Sequence, residues 1–290
     1  MSLTFRTDYW DDAQAKSAFI RFLHHIHRLD LTLWDKLGSW DHNYRPFSYF
    51  DGNTIAASVC VYSMDMMVEG RRCSVAQISG VGTDEKYRRR GLSLALTERA
   101  IEWASSRHEF FYLFADADAF KLYERAGFRR VVEHKTRIPV EGCKPRGNVV
   151  KLDIENKKHL ELIYQHAGKR TAVSDRLGVF NEKLFMFWCL YFLRDNIYYI
   201  ADLDLLVLYK RENGLLTFCD IVGSEIPEFT SIYPYISDER DREIEFLFMV
   251  DKLKLRGSMK TIAVVENGTH LSGDFPHEGS PFIFPLTSRA

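Results

Sequence analysis

Residues 81–93 read VGTDEKYRRRGLS. A strand, Cys73–Thr83, runs into a turn rich in arginine and glycine, and a helix follows over Gly91–Ser105. That helix carries Leu92, Leu94, Ala95, Leu96, Ala100, Ile101, Trp103 and Ala104, which gives it a wide apolar face. The first N–H groups of a helix have no intrahelical partner, and the helix dipole adds partial positive charge there. The turn is therefore an anion site. Gly91 lets backbone come close to a phosphate, small Ser93 keeps the first turn open, and Arg88, Arg89 and Arg90 add charge suited to a pyrophosphate. The spacing fits neither the nucleotide loop GxxxxGK[ST] nor the dinucleotide fingerprint GxGxxG.

Working outward, Leu3–Thr7 reads as a short strand. Apolar residues at Ala15, Ala18, Phe19, Phe22, Leu23, Ile26 and Leu29 fall at helical spacing. Strands are expected at Phe47–Phe50 and Thr54–Met67, joined by the turn residues Asp51-Gly52-Asn53. Beyond the central helix, Phe110–Phe114 reads as a strand, Asp118–Arg125 as a short helix stopped at Gly127, and Phe128–His134 as a strand. The order is strand, helix, three antiparallel strands, helix, strand, helix, strand. That is an α/β arrangement with one strand-helix-strand crossover at its centre.

Residues 116–128 read DADAFKLYERAGF. Together, RRRGLS and this segment resemble the GNAT superfamily of N-acetyltransferases. Arg88–Ser93 is similar to its Q/R-x-x-G-x-G/A pyrophosphate loop. Asp116, Ala119, Tyr123, Gly127 and Phe128 stand in register with its N-x-x-A-x-x-x-Y-x-x-x-G-F segment. The departures are Ser93 for Gly or Ala, Asp116 for Asn, and Glu85 where proline is common. The resemblance implies a mixed, mostly antiparallel sheet flanked by helices. It implies acetyl-CoA as co-substrate, bound by Val81, Thr83, Arg88, Arg89, Arg90, Gly91, Leu92 and Ser93. It also implies direct transfer of the acetyl group to a primary amine, on a small molecule or a peptide, through a tetrahedral intermediate. Tyr123 would sit beside the departing sulfur. Asp116 and Asp118 are candidates for the base, with Asp116 preferred. A non-catalytic acyl-CoA-binding or scaffold protein of the same fold is the rival reading.

A lysine-like amine with a pKa of about 10.4 is neutral in only about one molecule in 2,500 at pH 7. The site must lower that pKa or take the proton.

With 290 residues and 46% hydrophobic content, the chain is long enough for two domains. Charged and turn-forming residues near 141–150 suggest a linker, so a cofactor-binding catalytic domain is expected over 1–143 and a second domain over 150–290. The second half loosely repeats the order of the first but has no counterpart of RRRGLS. Leu208–Val222 and the short helix after it resemble a degenerate GNAT-like domain. The tandem arrangement is distantly similar to the enhanced-intracellular-survival acetyltransferases, without their third domain.

A formal net charge of -1 gives no electrostatic ground for a nucleic-acid partner. The longest apolar run, Leu184–Leu193, is too short to cross a bilayer and is expected to be a buried helix. The 5 cysteines are scattered without a CxxC, which fits reduced, buried thiols in a cytoplasmic protein and no metal site. His24, His25 and His27 read as a solvated helix face. The aromatic stretch Trp34–Tyr44 is either acceptor lining or packing.

Overall fold

The computed structural model describes residues 3–277 and 279–290; Met1, Ser2 and Glu278 lie outside that description. Along the chain, β1 (Thr4–Thr7), α1 (Ala13–His27) and α2 (Thr32–Lys36) lead to three long strands, β2 (Tyr44–Asp51), β3 (Thr54–Val68) and β4 (Arg71–Thr83). Then come α3 (Leu92–Ser105), β5 (Phe110–Phe114), α4 (Phe120–Arg125), β6 (Arg129–Arg130) and β7 (Glu133–Pro139). The second half holds β8 (Val149–Lys151), α5 (Lys157–Lys169), β9 (Leu177–Val179), α6 (Glu182–Tyr191), β10 (Ile197–Ile200), β11 (Leu205–Glu212) and β12 (Leu215–Val222). It ends with α7 (Phe229–Ile236), β13 (Glu243–Phe246), β14 (Lys260–Val264) and β15 (Thr269–Gly273).

These strands form two sheets of one design. The first runs β1-β2-β3-β4-β5-β15-β6, with β9 against the far end of β3. The second runs β14-β7-β13-β12-β11-β10-β8. Each contains one parallel pair, β4 with β5 and β12 with β13, among antiparallel neighbours. Each has a register shift just before that pair, between Ser58 and Cys60 and between Leu208 and Tyr209.

Period-2 patterning explains the layers. Ala57, Val59 and Val61 of β3 pack with α3 through Leu96, Ala100 and Ala104. On the other face, Cys60 joins a cluster with Phe19 and Phe22 of α1 that runs on into Phe185, Cys189 and Leu190 of α6. Helix α1 begins where the Asp12 side chain accepts from the backbone N–H of Gln14 and Ala15, and ends at Arg28 in the left-handed region. The run Leu184–Leu193 is indeed a mostly buried helix, with Phe192 left 49% exposed. No described helix is long and apolar enough to cross a membrane.

Three strands cross the boundary expected near 141–150, one of them β9, which pairs with the end of β3 in the first sheet. The strand expected at Phe128–His134 is split: β6 stays in the first sheet, while β7 leaves to pair between β13 and β14 of the second. In return β15, from the far end of the chain, enters the first sheet between β5 and β6. Its sequence, THLSG, has no long apolar run and was not legible as a strand. The sheets are duplicated, but the first takes β9 and β15 from the second half and the second takes β7 from the first.

Glu133, the first residue of β7, lies where the exchange occurs. Its carboxylate is fully buried and accepts from Thr269 Oγ1 of β15 at 2.8 Å, Asn267 Nδ2 at 2.6 Å and the Phe284 backbone N–H at 2.8 Å. Arg289 Nη2 lies 3.1 Å from both of its oxygens. Removing a carboxylate with this many partners strands a buried guanidinium and two side-chain donors. Glu133→Ala should therefore destabilise the fold by about 3–5 kcal/mol, read as a lowered urea midpoint. A midpoint equal to that of the unsubstituted protein would show that the exchanged strands do not depend on this carboxylate.

Candidate functional site

The site lies where β4 and β5 part. Their parallel pairing is recorded at Ala76 with Phe111 and Gln77 with Tyr112, after which β4 continues to Thr83 and β5 to Phe114. In the same stretch β4 sets two residues, Gly80 and Val81, against Val59 of β3. Such a bulge leaves backbone groups out of the ladder and open to a ligand. Gly80 has φ +56°, and a side chain there would meet the Tyr44 hydroxyl at 2.8 Å, so only glycine suits the position.

A groove of about 810 Å³ runs from this cleft along the start of α3. Val81, Thr83, Arg88, Arg89, Gly91, Leu92 and Ser93 line it. Gly91 caps α3 at φ 72° with no side-chain hydrogen bond to the helix start. The Ala95 N–H already returns to the Gly91 carbonyl at 3.0 Å, so the first-turn donors before it remain for an anion. A Cβ on Gly91 would meet no protein atom within 4 Å: it would project into open space. Thr83 and Ser93 hydroxyls hydrogen bond at 2.6 Å and tie the strand end to the helix start. Of the three arginines, Arg90 turns aside, with its guanidinium 5.3 Å from the centre of the Tyr87 ring. The opposite wall supplies two cations that the motif did not flag, Lys121 and Arg125 of α4.

A second cavity of about 340 Å³ lies on the other side of the cleft, lined by residues of both halves. Trp34, Trp40, Tyr44, Tyr62 and Ile78 come from the first half, and Lys183, Leu184, Phe187 and Ala290 from the second. Ala290 is held by Gln77, whose Oε1 accepts from the Ala290 N–H at 3.0 Å. The aromatic stretch Trp34–Tyr44 thus lines the cavity and also packs: Trp40 stacks on Trp10 at 4.6 Å.

His27, Val81, Asp116, Ala119 and Tyr123 border both cavities. Tyr123 is 5% exposed, and its hydroxyl has no hydrogen-bond partner among the described residues. Burial, and then the charge of Asp116, push its pKa up to about 12. Asp116 is exposed, and its carbonyl accepts from Ala119 N–H at the turn leading into α4. Asp118 lines only the groove. His27 was read as part of a solvated face. It keeps one side open, but burial of the rest lowers its pKa, and Asp116 opposes that shift. No helical pattern could have singled it out from His24 and His25; only the position of the last turn of α1 against β4 does so.

Residues 38–131 match the sequence model of the acetyltransferase (GNAT) domain. The chain has the GNAT fold. Three solved structures extend that likeness over both halves. A conserved protein of unknown function from Enterococcus faecalis is 13% identical, with a TM-score of 0.60, and the match covers 93% of this chain and 72% of that one. A GCN5-related N-acetyltransferase from Anabaena variabilis is 17% identical, with a TM-score of 0.57, covering 92% and 72%. Eis1 from Mycobacterium abscessus is 15% identical, with a TM-score of 0.54, covering 94% and 73%. At these identities the likeness is one of fold. No curated protein matches this sequence.

The loop geometry separates two kinds of damage. Gly91→Val should abolish or weaken acetyl-CoA binding by at least about 100-fold, because a branched side chain at positive φ enters the anion's space. Arg89→Ala should cost only about tenfold, since Arg88 remains. Calorimetric titration of each variant reads this; equal binding by the valine variant would remove the loop from the site.

Proposed function

We propose that this chain transfers the acetyl group of acetyl-CoA to a primary amine. The observation that carries the reading is that the two cavities meet at Tyr123, Asp116, His27 and Val81. A thioester lying in the groove would bring its carbonyl to that junction, with the amine arriving from the aromatic side.

Pyrophosphate would rest on the open N–H groups before Ala95 and between Arg88 and Arg89, and Lys121 and Arg125 suit a further phosphate. Val81 and Thr83 would hold the cofactor's arm through the end of β4. Among the described residues the second sheet offers no equivalent. The segment between β12 and α7 carries Glu225 and Glu228 in place of arginines, and α7 is only 8 residues long. One acetyl-CoA per chain follows, bound in the first half.

In the reaction the neutral amine nitrogen attacks the thioester carbon. The new C–N bond gives a tetrahedral intermediate, which collapses by breaking the C–S bond. The Tyr123 hydroxyl donates a hydrogen bond to the departing sulfur. With its pKa at about 12, outright proton transfer to a thiolate of conjugate pKa about 8.5 would be uphill by roughly 5 kcal/mol. Its role is therefore to stabilise developing charge, with any proton transfer coupled to loss of the amine proton. The amine proton passes to His27, directly or through water. The lowered pKa of His27 leaves it neutral and able to accept near pH 7, and Asp116 steadies the imidazolium that forms.

Two variants test these roles. Tyr123→Phe should lower kcat by about 10–1,000-fold while leaving acetyl-CoA affinity nearly unchanged. Unchanged kcat at saturating amine would reduce Tyr123 to packing. For His27 the sign follows from its depressed pKa: turnover should be full above it and fall as the pH drops through it, with the inflection below about 6.5. His27→Gln should remove that inflection. A variant that keeps the same acid limb would exclude His27 as the proton acceptor.

A further inference from the structure

The chemistry of the second cavity narrows the acceptor, given the transfer reading above. Its lining is rich in aromatic side chains: Trp34, Trp40, Tyr44, Tyr62, Phe114 and Phe187. They are braced from behind. The Trp40 indole N–H is already taken by Asp35 Oδ1 at 2.8 Å, and its ring lies on Trp10 with an interplanar angle of 25°. Phe187 meets Trp34 edge-on at 5.6 Å and 89°. Tyr44 and Tyr62 pack edge to face at 5.2 Å. These rings have little freedom to lose when a flat apolar body slides between them.

The charges on the lining are few. Asp116 stands at the junction with the cofactor groove, while Asp41 and Lys183 lie elsewhere on the wall. One Asp41 oxygen already accepts the backbone N–H groups of Asn43 and Tyr44 at 2.8 and 3.2 Å. Lys183 has no ion pair among the described residues. One ammonium can be accommodated near Asp116 and His27. A second or third ammonium on the same molecule would be stripped of water among rings. Ser79, 7% exposed, borders the cavity beside Tyr44 with its hydroxyl buried.

We propose that the acceptor is a primary monoamine carried on an aromatic body.

The test is calorimetric titration of the full chain, saturated with CoA, using 2-phenylethylamine and spermidine as probes. The phenylethylamine should bind at least about tenfold more tightly. Trp40→Ala should weaken it by about tenfold and leave spermidine unchanged. Spermidine binding as well as or better than phenylethylamine would overturn the proposal, as would the absence of saturable phenylethylamine binding. Thiol release from acetyl-CoA is read separately: selective binding without release would strike the transfer reading and leave the assignment of the pocket standing.

Discussion

One buried carboxylate ties the two halves together. Glu133 begins the strand that the first half lends to the second sheet, and its oxygens hold Thr269 on the strand lent in return. The same carboxylate receives Arg289 from the tail. Without the exchange, β5 would lose its neighbour β15 on one side and be held only by its two-residue pairing with β4. The cleft between β4 and β5 can open because β15, rather than β4, holds β5 in place.

That constraint reaches the chemistry in few steps. The end of β5 sets Asp116, and the turn after it sets α4 and Tyr123. The tail held at Glu133 crosses the same strand, with the Tyr112 hydroxyl donating to the Ser288 carbonyl at 2.8 Å and Trp188 Nε1 to the Arg289 carbonyl at 2.7 Å. Helix α6, read from sequence only as an apolar run that must be buried, thereby becomes a wall of the second cavity through Lys183, Leu184 and Phe187. Among the described residues the second half has no counterpart of the turn at 88–93, yet it completes the aromatic pocket of the first. Its sheet repeats the architecture while its surfaces serve a different purpose.

What the sequence disclosed was local. The strand-turn-helix at 81–93 and the segment at 116–128 carry their geometry in short-range patterns, and both stand where those patterns place them. What it withheld was non-local. β15 is a five-residue strand whose only cue is its partner, Phe110–Phe114, far away in the chain. The split of Phe128–His134 into two strands of different sheets depends on β13 and β14, which lie more than a hundred residues on. His27 read as part of a solvated face, and nothing in α4 itself sets Lys121 and Arg125 apart. Arg90 looked equivalent to its neighbours, yet it packs on Tyr87.

The most direct test of the account is a crystal structure of the full chain with acetyl-CoA. The account predicts one molecule per chain, its pyrophosphate on the N–H groups of the first turn of α3 beside Gly91. It further predicts the sulfur within about 3.5 Å of the Tyr123 hydroxyl, with the acetyl carbon facing the aromatic pocket. A pyrophosphate bound away from Leu92–Leu94, or an acetyl group pointing away from Tyr123 and His27, would contradict it.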